Sequence, residues 1–221
     1  SYPSENFFGG AILAGSVGLA TGASLGIKIK KNKAVAITIF GESATDQGLF
    51  WESMNYSALK KLPLLYICEN NDYSVFSPSK NRQSGVPIYL KARAFGVKSK
   101  KIFGNDAVNI YENLKKILSE IRKKNQPFLL ELDTYRISAH YGPETDLDIG
   151  YRSKKEIDFW KKKCPIKIFK SKNKKLIIKN QKKISIYLNK INTEIEKSFK
   201  FAKKSHFPKI KNFQSLNYSE K

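Results

Sequence analysis

The sequence predicts an α/β fold in which a parallel sheet is flanked by helices, followed by a helical tail. Two observations carry that prediction. Short apolar, β-branched runs at 34–40, 64–68 and 128–134 alternate with longer segments whose apolar residues recur every three or four positions. The connection between the first two runs is helical in pattern and too long for a hairpin, which makes it a right-handed crossover between parallel strands.

Taken in order, the apolar stretch Ala11 to Ile27 approaches the length of a membrane span, yet Gly, Ala, Ser and Thr dominate it. It reads as a buried helix. Gly18, Gly22 and Gly26 share one helix face, where a second backbone can approach closely, so a subunit interface is expected there. The run 34–40 reads as a buried strand ended by Gly41. Thr45 or Asp46 is the expected cap of the next helix, which buries Phe50, Met54, Ala58 and Leu62 and closes at Pro63. Leu64 to Cys68 is the second buried strand, ending at Glu69-Asn70-Asn71.

Val86 to Phe95 reads as a loop and short helix, and 100–103 as an edge strand. Gly104-Asn105-Asp106 signals a turn and cap before an amphipathic helix carrying Val108, Tyr111, Leu114, Leu118 and Ile121. Gln126-Pro127 breaks it, and 128–134 forms another buried strand. After a loop through Gly142-Pro143, helices at 156–160 and around Leu188, Ile191, Ile195, Phe199 and Ala202 read as packing elements, the latter ended by Pro208. The expected organisation is one α/β domain over 1–165 and a lysine-rich helical extension over 166–221 packing on it.

The 221 residues, 41% apolar and 12% aromatic, suffice for one sizeable core. The net charge of +22 is concentrated at the end of the chain: residues 151–221 hold 22 basic and 5 acidic groups, whereas 1–150 hold 19 and 14. That excess is lysine in Lys-Asn-Ile-rich stretches, with arginine scarce and no aromatic-basic pattern. It reads as the solvated face of a chain from a low-GC genome rather than a nucleic-acid surface. Cys68 and Cys164 lack disulfide or metal spacing and read as thiols of a reducing compartment, so a bacterial cytoplasmic protein without membrane anchorage is expected.

Parallel strands bring the loops after 34–40 and 64–68 to one carboxyl edge, where open α/β sheets bind ligands. There Glu42 offers a carboxylate, Asn71 an amide oxygen, and a carbonyl just beyond Asn71 a third oxygen. Magnesium takes such hard ligands and shares them with bound phosphates. Backbone N–H groups around Ser43 and Ala44 can face phosphate oxygens. Either loop alone is an ordinary βαβ turn; the joint order and spacing points to a metal-held diphosphate. His140 lies past the strand at 128–134, near where those loops converge, and an imidazole there can donate to a phosphate or a developing oxyanion. Glu144, Asp146 and Asp148 mimic the start of a calcium loop, but its glycine and terminal glutamate are misplaced.

Taken together, GESATDQG (41–48), ALKKLP (58–63), ENNDYS (69–74), TYR (134–136) with His140 following, and GYRS (150–153) resemble the alpha subunits of thiamine-diphosphate-dependent 2-oxo acid dehydrogenases. These are the first components of the pyruvate, branched-chain and acetoin dehydrogenases. The resemblance implies the thiamine-diphosphate-binding fold, with thiamine diphosphate and magnesium (Mg2+) as cofactors. It makes Glu42, Asn71 and the Tyr73 carbonyl the metal ligands, and Gly41, Ser43 and Ala44 the turn around the diphosphate. Ile12, Leu13 and Ala14 match the strand-to-helix junction against the aminopyrimidine, and His140 the active-site histidine.

The same resemblance implies a beta subunit in a heterotetramer of two alpha and two beta chains. That subunit supplies the activating glutamate, so this chain is expected to be inactive alone. A lipoyl domain of a dihydrolipoyl acyltransferase is the expected acceptor and a small, pyruvate-like 2-oxo acid the substrate. The chain reads as truncated at its front, without the Tyr-Arg or His-Arg element that clamps the diphosphate in the family. Glu42 stands where most members have Asp. Ser43 replaces a glycine, which strains the turn if positive φ is required. Competing readings are the amino-terminal half of a split transketolase-like enzyme, which ENNDYS and the TYR-to-His segment oppose, and a non-catalytic basic binding or assembly subunit.

Overall fold

The computed structural model describes residues 6–142, 144 and 146–207; Pro143 and Pro208, on which two of the turn expectations fall, lie outside them. The chain divides into two compact units between Ser171 and Lys172. The described strands are β1 (Ala36–Gly41), β2 (Leu64–Asn70), β3 (Tyr73–Ser74), β4 (Ser77–Pro78), β5 (Lys98–Phe103) and β6 (Phe128–Asp133). Four of them form a parallel sheet in the order β1-β2-β6-β5, and β3 and β4 pair as a small antiparallel hairpin.

Helices cover both faces of that sheet. α1 (Gly15–Ile29), α2 (Gly48–Leu59) and α3 (Ile88–Ala94) pack on one side, where Val17, Phe50, Met54 and Ala92 meet Leu64, Tyr66, Cys68 and Leu129. α4 (Ala107–Lys124) packs on the other, where Ile117 and Ile121 meet Leu65, Ile67, Phe128, Leu130 and Leu132. Alternate residues of β2 and β6 thus serve opposite cores, which is why both strands read as continuous apolar runs. The Asp106 side chain caps α4 by accepting from the Asn109 N–H at 3.2 Å, and Asn125, at φ 47°, ends it.

Past the sheet come α5 (Lys154–Lys162) and α6 (Pro165–Lys172), and the second unit holds α7 (Lys174–Lys179) and α8 (Gln181–Lys204). Leu188, Ile191, Ile195 and Phe199 of α8 are exposed. Among the described residues no helix is long and apolar enough to cross a membrane. Cys68 and Cys164 are free thiols. Burial, with nearby carboxylates adding to it, pushes the Cys68 thiol well up.

Several local expectations are corrected. β1 is half-buried: Thr38 and Phe40 are covered, but Ile37 and Ile39 are 48% and 59% exposed, because β1 is an edge strand and α4 lies over β2 and β6. α1 buries Val17, Thr21 and Ser24, whereas a Cβ at Gly22 or Gly26 would meet nothing within 4 Å. Among the described residues its glycine face is open at Gly22 and Gly26, whereas a Cβ at Gly18 would touch Leu49 at 3.8 Å. Neither Thr45 nor Asp46 caps α2; Glu42–Asp46 form their own 3₁₀ turn, and Gln47 precedes the helix without a side-chain cap. Thr45 Oγ1 instead donates to the Glu42 carbonyl at 2.7 Å, and Asp46 is held by Arg82 and Gln83. Residues 11–14 form a bend and turn into α1, not the end of a strand; Gly9 and Gly10 just before them disfavour one.

Candidate functional site

Register places the site. Gly41 of β1 lies opposite Glu69 of β2, and Asn70 lies opposite Asp133 of β6, so Glu42, the Asn70–Tyr73 segment and the chain leading to His140 all leave the sheet at one edge. A cleft of about 210 Å³ opens there, lined on the sheet side by Glu42, Asn70, Asp72, Lys101 and Glu131. Of the residues nominated from the sequence, Glu42 alone lines it; Asn71 and Tyr73 belong to the loop that borders it.

Glu42 is 3% exposed and begins the 3₁₀ turn, with Ser43, Ala44 and Thr45 buried behind it. Gly41 is extended at φ −75°, and Ser43 is absent from the positive-φ residues. The strain considered for Ser43 is therefore not present. Arg82 donates to Glu42 Oε1 at 2.7 Å and pairs with Asp46 as well. Burial raises the Glu42 carboxyl above the usual range, and the Arg82 bond and charge only partly offset it.

The loop after β2 is built by its own side chains. Asn70 Oδ1 accepts from the Asp72 N–H at 3.0 Å and Asn71 Oδ1 from the Tyr73 N–H at 3.1 Å, with Asp72 in the left-handed region at φ 68°. Tyr73 then pairs with Pro78 across the hairpin, and its phenol donates to Glu156 at 3.0 Å. Burial, reinforced by that carboxylate, raises the phenol's pKa far above normal. An amide oxygen has two lone pairs, so Asn71 Oδ1 retains one beyond the Tyr73 bond.

Glu42, Asn71 and Tyr73 carry the donor types that a hard cation takes, a carboxylate, an amide oxygen with a spare lone pair and a backbone carbonyl, with Glu42 Oε1 already bonded by Arg82. Beside the carboxylate turn Arg82 Nε is buried without a hydrogen-bond partner, while its Nη atoms pair with Glu42 and Asp46.

His140 is exposed on the loop after β6 and does not line the cleft. A pair that the sequence did not single out anchors that loop. Arg152, buried, donates through Nε to Asp146 Oδ1 at 2.8 Å and through Nη2 to the Ser138 carbonyl at 2.9 Å, and it also reaches the Arg136 carbonyl. Although burial opposes it, the bonds from Tyr151 and Arg152 hold the Asp146 carboxyl below its usual range. Asp146 is thus committed to an internal ion pair and not to calcium. Ile12 and Leu13 are exposed and Ala14 is buried, at the turn into α1.

Residues 2–211 match the family described as Dehydrogenase E1 component. The chain belongs to that family. Relatives include the 2-oxoisovalerate dehydrogenase subunit alpha 2, mitochondrial, of Arabidopsis thaliana, 29% identical over 94% of this chain and 44% of its own. The pyruvate dehydrogenase E1 component subunit alpha of Rickettsia bellii is 29% identical over 90% of this chain and 59% of its own. The testis-specific mitochondrial form of that subunit in Homo sapiens is 33% identical over 97% and 55%. The chain spans about half the length of these relatives.

Within this dehydrogenase E1 chain, three structural participants escaped the sequence reading: Arg82, the Asp146–Arg152 pair and Glu131. Glu131 carried a signal, a carboxylate in the midst of the apolar run FLLELD, whereas Asp146 was marked only as part of an acidic cluster and Arg152 only within GYRS. Neither of these, nor Arg82, is marked locally as a buried partner.

Proposed function

We propose that this chain is the alpha part of a thiamine-diphosphate-dependent 2-oxo acid dehydrogenase, acting on a small, pyruvate-like 2-oxo acid together with a beta subunit. One observation supports the reading above others: in a chain of this family, a buried carboxylate at the end of β1 and a two-asparagine turn at the end of the neighbouring parallel β2 open on the same edge. When bound, thiamine diphosphate supplies the carbanion chemistry by which a 2-oxo acid loses carbon dioxide and its acyl group passes to a lipoyl arm.

The protein's share is binding and orientation. Glu42, Asn71 Oδ1 and the Tyr73 carbonyl hold magnesium. Gly41, Ser43 and Ala44 wrap the diphosphate with backbone N–H groups, and Ile12, Leu13 and Ala14 back the aminopyrimidine. His140, on its anchored loop, donates to negative charge developing at the substrate. No residue of this chain matches the glutamate that the family draws from its beta subunit, so activity requires both subunits, with a lipoyl domain as acceptor.

Calorimetry of the alpha–beta complex with magnesium and thiamine diphosphate, followed by a panel of 2-oxo acids, tests the reading. Magnesium-dependent binding and decarboxylation by the complex, with neither turnover by the chain alone nor ketol transfer, are expected. A complex that fails to bind the cofactor would reduce this chain to an assembly subunit.

A further inference from the structure

Glu131, 1% exposed, is more deeply buried than any other acidic side chain among the described residues. It sits in β6 opposite Cys68 of β2 and Lys101 of β5. Its neighbours Leu130 and Leu132 face the α4 core, so Glu131 faces the opposite side, where the sheet opens into the cleft. An ionised carboxylate is expensive to bury unless it is bonded and paired. Oε1 accepts from Asn70 Nδ2 at 2.8 Å and Oε2 from the Tyr89 N–H at 2.9 Å, with Lys101 Nζ at 3.7 Å.

What it bonds is a switchable group. A carboxamide can present either its oxygen or its nitrogen, but an ionised carboxylate only accepts, so Nδ2 of Asn70 must face Glu131. Oδ1 is thereby turned to the Asp72 N–H, where it lies at 3.0 Å. That bond, together with the Ser79 N–H donating to the Asp72 carbonyl at 2.8 Å and the Ser79 hydroxyl donating to the Asp72 carboxylate, holds Asp72 at φ 68°, a conformation that a non-glycine residue keeps only when its surroundings dictate it. Asp72 in turn stands between Asn71 and Tyr73, whose own bond closes the turn at 3.1 Å.

We propose that Glu131 is a positioning residue for the cation loop: by dictating which way the Asn70 carboxamide points, it sets the turn that carries Asn71 and Tyr73. The proposal rests on the reading of that loop as magnesium-binding. Glu131→Gln is its sharpest probe, because glutamine has nearly the same shape but can donate as well as accept, and so no longer dictates the carboxamide.

Two readouts separate the relay from the cofactor reading. Amide hydrogen exchange at Asp72 and Tyr73, measured on the full chain without ligand, should run about tenfold faster in Glu131→Gln. Calorimetry of the alpha–beta complex with magnesium and thiamine diphosphate should give a Kd raised about tenfold to a hundredfold. Because Glu131 acts through Asn70, the double variant with Asn70→Ala should bind no more weakly than Asn70→Ala alone. Wild-type exchange and affinity in Glu131→Gln, or a double variant that is additive, would overturn the relay. Faster exchange in a protein whose wild-type complex binds no cofactor would leave the relay standing and remove the cation reading. If Glu131→Gln fails to fold, Asn70→Ala carries the test, and unchanged exchange at Asp72 in that variant overturns the proposal.

Discussion

Arg82 donates to Glu42 Oε1 at 2.7 Å across 40 positions of sequence, tying the segment after the β3–β4 hairpin to the turn after β1. The two side chains are 16% and 3% exposed, so the pair is largely shielded from solvent. Breaking such a pair from one side strands the other charge. Arg82→Met should cost about 3 kcal/mol in urea denaturation, and adding Glu42→Gln should recover most of it. Two independent, additive losses would show that the pair contributes nothing as a pair.

Gly104 sits where β5 leaves the sheet, its N–H donating to the Asp133 carbonyl at 2.8 Å. A Cβ there would lie 3.0 Å from that same backbone oxygen and 3.1 Å from Leu132 Cβ, neither of which can swing away. Gly104→Ala should therefore destabilise the chain by about 1–3 kcal/mol. A melting temperature equal to the wild type would show that the end of β6 yields.

Legibility followed burial. β2 and β6 are covered on both faces, and their apolar runs announced them; α4 has one buried stripe, and its spacing announced it. β1 misled because Ile37 and Ile39 look like core residues, yet on this edge strand they stand 48% and 59% exposed. The shared edge on which the turns after β1 and β2 open was readable because parallel pairing of the two strands defines it. Arg82 and Glu131 were not: each meets its partner across distant sequence, at 40 positions from Glu42 and 61 from Asn70, and such pairings leave no periodic mark.

Asp146 supplies a pH dependence with a definite sign. Its carboxyl titrates below its usual range in the folded chain, so its stabilisation is fully present above the unfolded value and is lost as pH falls through the folded one. The window lies below about pH 4. Tyr151, pushed up to about 12 by burial and by Asp146, remains a donor throughout. In thermal denaturation the advantage of wild type over Asp146→Asn should shrink as pH is lowered through that window. A constant gap would separate Asp146 from the loop's stability.

Ser43 lies in the turn after β1, and its backbone is not in the positive-φ region. A glycine there should gain nothing. Ser43→Gly is expected to lower stability by about 0.5 kcal/mol through added freedom of the unfolded chain, with cofactor affinity unchanged. A clear rise in thiamine diphosphate affinity would mean that the serine side chain obstructs the diphosphate.

α1 offers a substitution that should act in opposite directions on folding and on assembly. Val17, Thr21 and Ser24 bury one face, while Gly22 lies on the open one, where an added methyl group would meet nothing within 4 Å. In an exposed helix interior, Gly22→Ala should raise stability by about 0.5–1 kcal/mol. If the Gly18, Gly22 and Gly26 face seats a helix of another subunit, the same methyl keeps that backbone at a distance and weakens association. Melting temperature and sedimentation of the alpha–beta mixture read the two effects separately. A higher melting temperature with unchanged association would remove the glycine face from the interface, whereas a lower melting temperature would mean that the face is already packed within the chain.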